Sequence, residues 1–71
     1  MTIGERAVQA IRDRTKKNQT TQELECAKLG ISSRVFFGWE KQGINPSAYF
    51  LQQMALAGYD VIWILTGGKE D

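Results

Sequence analysis

Gly30, in the middle of the stretch QELECAKLGISSRVFFGWEKQ (residues 22–42), constrains the fold more than any other feature of the sequence. It separates two short segments whose apolar residues recur at helical spacing, so two helices joined by a tight turn are predicted. In the second segment Val35, Phe36 and Trp39 form an apolar stripe, which predicts a face buried in a core. The same segment carries a second stripe of mixed chemistry, predicted to face outward: Arg34, Phe37, Gly38 and Lys41.

Capping signals define the ends of these two helices. The run TTQE fits a capping box, with Thr20 as N-cap and Glu23 reaching back from the third helical position. Gly30 is predicted to adopt the left-handed conformation that ends the second helix, and Ile31 is predicted to anchor the turn in the core. Ser32 is predicted to cap a third helix over residues 33–42.

Two further helices are predicted on either side of this stretch. The first covers residues 3–17, and the sequence Asn45-Pro46 predicts an N-cap and first turn for a fourth helix over residues 46–57. No stretch alternates as a strand does, so the fold class is all-α. The inward positions are predicted to be Ile3, Ala7, Ala10 and Ile11 in the first helix, Leu24, Cys26 and Ala27 in the second, and Phe50, Leu51, Met54 and Ala55 in the fourth, with Ile44 buried in the connector and Tyr49 and Tyr59 at the surface.

A fifth helix, predicted over residues 61–65 with Asp60 as its cap, is apolar all round. A domain of this size covers only one side of such a helix, so the remaining surface predicts a partner, most simply a second copy of the chain. The predicted dimer interface comprises Ile62, Trp63 and Ile64, whereas residues 69–71 beyond the helix are expected to fray.

Composition narrows the class of protein. The 71 residues form a single domain, 1–71, and 42% hydrophobic residues are enough for a core. A single cysteine and no histidine predict neither a disulfide nor a metal site, and no catalytic constellation or cofactor site can be assembled, so an enzyme is not expected. The unpaired cysteine and the absence of a signal peptide or spanning segment predict a cytoplasmic protein.

Charge is unevenly distributed along the chain although the net charge is only +1. Residues 1–18 carry five basic and two acidic side chains, whereas residues 47–71 carry one basic and three acidic side chains. Such a chain can present one positive face to a polyanion. An ordinary solvated helix surface would show the same pattern, so charge alone decides nothing.

The sequence resembles the Cro/CI type of phage repressor helix-turn-helix domain over nearly its whole length. The marks are Gln22, Cys26, the run LGIS at residues 29–32, Phe36, the run WEK at residues 39–41, and LTG at residues 65–67. The pattern departs from the family at Glu25, because the family usually has a leucine at this position. In this sequence the leucine, Leu24, comes one position earlier.

The resemblance implies a compact five-helix, lambda-repressor-like bundle whose third helix enters the major groove of DNA. Arg34 would bond a guanine edge, Phe37 would pack on a thymine methyl, and Lys41 would meet the backbone. Gln22 at the start of the second helix would touch a phosphate. The implied DNA-binding residues are Gln22, Ser32, Ser33, Arg34, Phe37 and Lys41.

Two hypotheses follow. The first is a nucleoid-associated transcriptional regulator, a phage or prophage repressor that binds a two-fold DNA operator as a homodimer. The alternative is a protein-interaction module, antirepressor-like, that keeps the repressor fold but binds another phage regulator. The modest net charge, Glu23, Glu25, Phe37 and Gly38 favour the alternative, because they make the outward face less basic.

Overall fold

The apolar pattern of the sequence folds into five α-helices in the computed structural model, which describes residues 1–68. The helices are α1 (Ile3–Asn18), α2 (Gln22–Lys28), α3 (Ser33–Lys41), α4 (Ala48–Leu56) and α5 (Val61–Thr66). Residues 1–68 contain no strand, and the predicted all-α bundle of five helices is confirmed. The expected fraying of residues 69–71 lies outside the described residues.

Helix α1 forms the centre of the bundle, since it packs against α2, α3 and α5, whereas α4 packs against α5. Ala7 and Ile11 on its inward face are fully buried, as predicted, and Ile3 and Ala10 are partly buried against the same core. The core is completed by Val8 of α1 and by side chains from every other helix and from the connecting turns: Cys26, Leu29, Ile31, Phe36, Trp39, Met54, Tyr59 and Ile64.

The N-terminus of α1 lies against the end of α3 with no room for a side chain. A Cβ atom on Gly4 would clash with the carbonyl oxygen of Ile44 and would lie 2.9 Å from that of Trp39. The backbone N–H of Gly4 donates to Asn45 Oδ1 at 3.2 Å. This contact explains why α4 does not begin at Pro46 as predicted: the Asn45 side chain binds α1 instead of capping, and Ser47 is the N-cap.

Two arginines of α1 donate hydrogen bonds to backbone carbonyl groups at the ends of other helices. Arg6 donates to the carbonyl oxygens of Ile64 (2.7 Å, from Nε) and Leu65 (3.1 Å, from Nη2) at the end of α5. Arg14 donates to the carbonyl oxygen of Ala57, and its guanidinium carbon lies 3.7 Å from the centre of the Tyr59 ring. The cations of α1 are therefore largely engaged within the fold, which weakens the prediction of a positive face formed by the N-terminal third.

Helix α2 begins one residue later than predicted. Thr21, not Thr20, is the N-cap, and its hydroxyl accepts from the backbone N–H of Leu24 at 3.2 Å. Leu24 is exposed in this helix and Glu25 is buried, at the position where the family that the sequence resembles has a leucine. Among the predicted small inward residues, Cys26 is buried and Ala27 is exposed.

Four other burial predictions are wrong for identifiable reasons. Gly38 is buried, because the Ile44 side chain lies over it, with Cδ1 3.2 Å from where a Cβ would be. Ile44 itself remains half exposed, since it covers α3 from outside. Tyr59 is buried beneath Arg14, and Ala55 on α4 is exposed.

Gly4 and Gly38 both lie within helices, but they are predicted to respond differently to substitution by alanine. Gly4→Ala forces a Cβ into two backbone carbonyls that cannot move independently, so we expect a loss of about 3 kcal/mol or more in unfolding free energy. Chemical denaturation measures this change.

Gly38→Ala is the matched control. Its Cβ meets only the flexible end of Ile44, and alanine raises helix propensity by about 1 kcal/mol, so we expect a net change within about 1 kcal/mol. Equal losses in the two variants would contradict the close approach of α1 and α3.

Candidate nucleic-acid interface

The turn between α2 and α3 is fixed by local backbone geometry. Gly30 has a φ of 72°, the left-handed conformation that the sequence predicts. The N–H of Ile31 donates to the carbonyl of Cys26 at 2.9 Å, and the Ile31 side chain is buried. Ser32 caps α3 as predicted, because its hydroxyl accepts from the N–H of Val35 at 3.2 Å.

Helix α3 is held in the core by its apolar stripe. Phe36 and Trp39 are buried and Val35 is partly buried, as predicted. The Trp39 ring meets Phe50 of α4 edge-on, with centroids 5.5 Å apart. A second attachment lies on the α1 side, where Arg12 forms an ion pair with Glu40.

The opposite side of α3 is exposed, and it carries the predicted contact residues. Ser33, Arg34 and Lys41 are exposed, and Phe37 retains 49% of its surface. Ser32 and Gln22 are exposed at the starts of α3 and α2. All six residues that the resemblance implies for DNA contact are therefore accessible, although Gly38 of the outward stripe is not.

The structure groups these residues unevenly. Gln22, Ser33 and Phe37 line one groove between α2 and α3, with a volume of about 560 Å³. Lys41 lies instead in a separate depression near Met1 and Arg12, on the α1 side of α3. The exposed face of α3 therefore has an apolar, aromatic part towards α2 and a part of mixed charge towards α1, where Lys41 lies with Arg12, Glu5 and Glu40.

The groove between α2 and α3 has an apolar floor and an acidic rim. The buried residues Cys26, Ile31 and Phe36 form the floor, and the acidic residues that line the groove are Glu23 and Glu40, of which Glu40 is paired with Arg12. Burial raises the pKa of Cys26, and Glu25 raises it further, which keeps the thiol protonated near neutral pH. Glu40 lines the same groove as Glu23, although no local pattern in the sequence brings these two residues together.

The buried carboxylate of Glu25 ties the start of α2 to its last turn. It accepts from Thr20 Oγ1 at 2.6 Å and from Lys28 Nζ at 3.3 Å. The hydrogen bond from Thr20, and secondarily that from Lys28, hold the pKa of Glu25 below its ordinary value against the opposing effect of burial. Sequence reasoning missed this pair, because it assigned Thr20 to the cap.

The predicted partner surface on α5 is only partly available. Ile64 is fully buried in the core and cannot contact a second chain, so its assignment to a dimer interface is wrong. Ile62 keeps 46% and Leu65 43% of their surface exposed, and Trp63 is partly buried. Leu65, which was not predicted to be part of this surface, lies three residues after Ile62 and therefore on the same face of α5.

No protein-family model, curated protein or solved structure matches this chain. Within residues 1–68 no helix is long and apolar enough to cross a membrane, and no three metal-ligating side chains lie close enough together to hold an ion. The proposed function is therefore based on the arrangement of side chains around α2, α3 and α5.

The hydrogen bond from Thr20 to Glu25 predicts a pH-dependent stability. Because the pKa of Glu25 is lowered on folding, its contribution is complete above the ordinary value of 4.5 and is lost as pH falls through the folded pKa. Thr20→Val removes the largest cause of that shift. We expect a lower Tm at pH 7 and a smaller difference from wild type towards pH 3, measured by circular dichroism. A difference that is independent of pH would contradict this assignment.

Proposed function

We propose that the protein is a DNA-binding transcriptional regulator of the Cro/CI type, in which α2 and α3 act as the helix-turn-helix. The observation that carries the proposal is the two-sided character of α3. Phe36 and Trp39 fix one side in the core, while Arg34, Phe37 and Lys41 are exposed on the other. A short helix anchored in this way can enter a major groove without loss of core contacts.

The exposed side chains of α3 suit different parts of DNA. Arg34 in the first turn offers a planar fork of donors for the O6 and N7 atoms of guanine. Phe37 offers an exposed aromatic surface for a thymine methyl, and the hydroxyls of Ser32 and Ser33 can bond bases or phosphates. Lys41, on the α1 side, suits a phosphate, and so does the amide of Gln22 at the start of α2.

The exposed face of α3 in a single copy offers only two cations, which supports binding by a homodimer to a two-fold operator. Arg12 and Lys28 form ion pairs, whereas Arg34 and Lys41 form none among residues 1–68. Two copies double the phosphate contacts and join two half-sites. Ile62 and Leu65 on α5 supply the apolar surface for that pairing, and the regulator would act on nucleoid DNA in the cytoplasm.

Arg34→Ala is expected to weaken operator binding by about 1–3 kcal/mol and to relax the preference at one base pair, because bidentate contacts to guanine contribute that much. Operator sequences selected from random duplex DNA, followed by titration in a gel-shift assay, measure both effects.

Arg34→Lys is the matched control, since it keeps the charge but not the fork of donors. We expect the base preference to be lost while the salt dependence of binding stays unchanged. If Arg34→Ala binds the selected operator as wild type does, α3 is not the reading helix.

Pairing through α5 predicts that Ile62→Glu and Leu65→Glu each produce a monomer, because a carboxylate cannot be buried unpaired in an apolar interface. Sedimentation equilibrium at rising protein concentration measures the association. Ile44→Glu, which alters an equally exposed apolar residue between α3 and α4, is the control and should leave association intact. A wild-type chain that stays monomeric at all concentrations would refute the homodimer.

A further inference from the structure

The groove between α2 and α3, defined above by its apolar floor and acidic rim, has the dimensions of a binding cleft. Its volume of about 560 Å³ lies within the range of about 300–1,000 Å³ typical of such clefts. Phe37 lines it with about half its surface exposed, whereas the other aromatic residues of α3, Phe36 and Trp39, are buried. An apolar side chain entering the groove would cover this surface.

The charge around the groove selects against an anion. Glu23 and Glu40 are the charged residues that line it, and no lysine or arginine does. Glu40 is paired with Arg12, but Glu23 forms no ion pair within the described part of the chain. A phosphate in the groove would face an uncompensated carboxylate, whereas a cation beside an apolar group would be attracted.

We propose that this groove binds a segment of a partner protein that carries an apolar anchor flanked by lysine or arginine. The anchor packs on Cys26, Ile31 and Phe36, with Phe37 as a wall, and a basic side chain pairs with Glu23. Recognition of this kind, in which one apolar face of a helix lies in an apolar groove, is a common mode of peptide binding.

Occupation of the groove would also regulate DNA binding. Gln22, Ser33 and Phe37 line the groove and are three of the residues proposed above to contact DNA. A segment packed against them covers that part of α3, so the protein cannot hold the segment and an operator at the same time. This consequence rests on the proposed function, whereas binding of the segment itself does not.

Two model peptides test the proposal on the full chain without DNA. Each is a 14-residue amphipathic helix (a length of about 21 Å) with leucine on one face and alanine on the other; the flanking positions are lysine in one peptide and glutamate in its counterpart. We expect the lysine peptide to shift the backbone amide resonances of Cys26, Ala27, Ile31 and Phe37, and to bind about two- to fivefold more tightly than the glutamate peptide.

Variants at Glu23 distinguish binding in the groove from a general effect of the net charge of the protein. Glu23→Lys should reverse the preference between the two peptides, and Glu23→Gln should reduce it. Asp13→Lys makes the same change of charge on α1, outside the groove, and should leave the preference unchanged.

Equal binding of the two peptides, an unchanged preference in Glu23→Lys, or shifts confined to Ile62 and Leu65 would each overturn the proposal. A chain that binds the lysine peptide in the groove but no duplex DNA would refute the proposed function alone. A chain that binds duplex DNA but neither peptide would refute this inference alone.

Discussion

The close packing of α1 against the end of α3 is the contact on which the rest of the structure depends. At Gly4 the two backbones meet so closely that no side chain fits, and Asn45 accepts a hydrogen bond from α1 there. Further along α1, Arg12 binds Glu40, so α3 is attached at two points along α1. Because α1 also carries α5 through Arg6, the orientation of the candidate reading helix and of the candidate dimer surface are set by one scaffold.

This scaffold engages three of the five basic side chains of α1 in contacts within the fold. Arg6 and Arg14 satisfy carbonyl groups at the ends of other helices, and Arg12 neutralises Glu40. The exposed face of α3 has two cations, Arg34 and Lys41, and one half-exposed aromatic residue, Phe37. Such a face fits recognition that relies on shape and apolar contact, supplemented by a second copy, more than it fits a single strongly basic surface.

The buried side of each helix could be predicted where spacing and residue type agree. Ala7, Ile11, Phe36 and Trp39 are buried as their periodicity requires, and Ser32 and Asp60 cap the helices that follow them. Prediction failed where a residue has a partner distant in sequence. Asn45 was assigned to a cap but binds Gly4, 41 residues away, and no local pattern distinguishes these two uses of an asparagine side chain.

The sequence by itself determined five helices, the turn at Gly30, the buried stripe of α3 and the exposure of the six residues proposed to contact DNA, because helical period and capping chemistry are local properties. Only the tertiary structure decided that Glu25 is buried and Leu24 exposed, that Ile64 lies in the core while Leu65 does not, and that Glu23 and Glu40 border one groove. These outcomes depend on how each helix is rotated against its neighbours. That rotation is fixed by contacts between distant residues, and local spacing does not encode it.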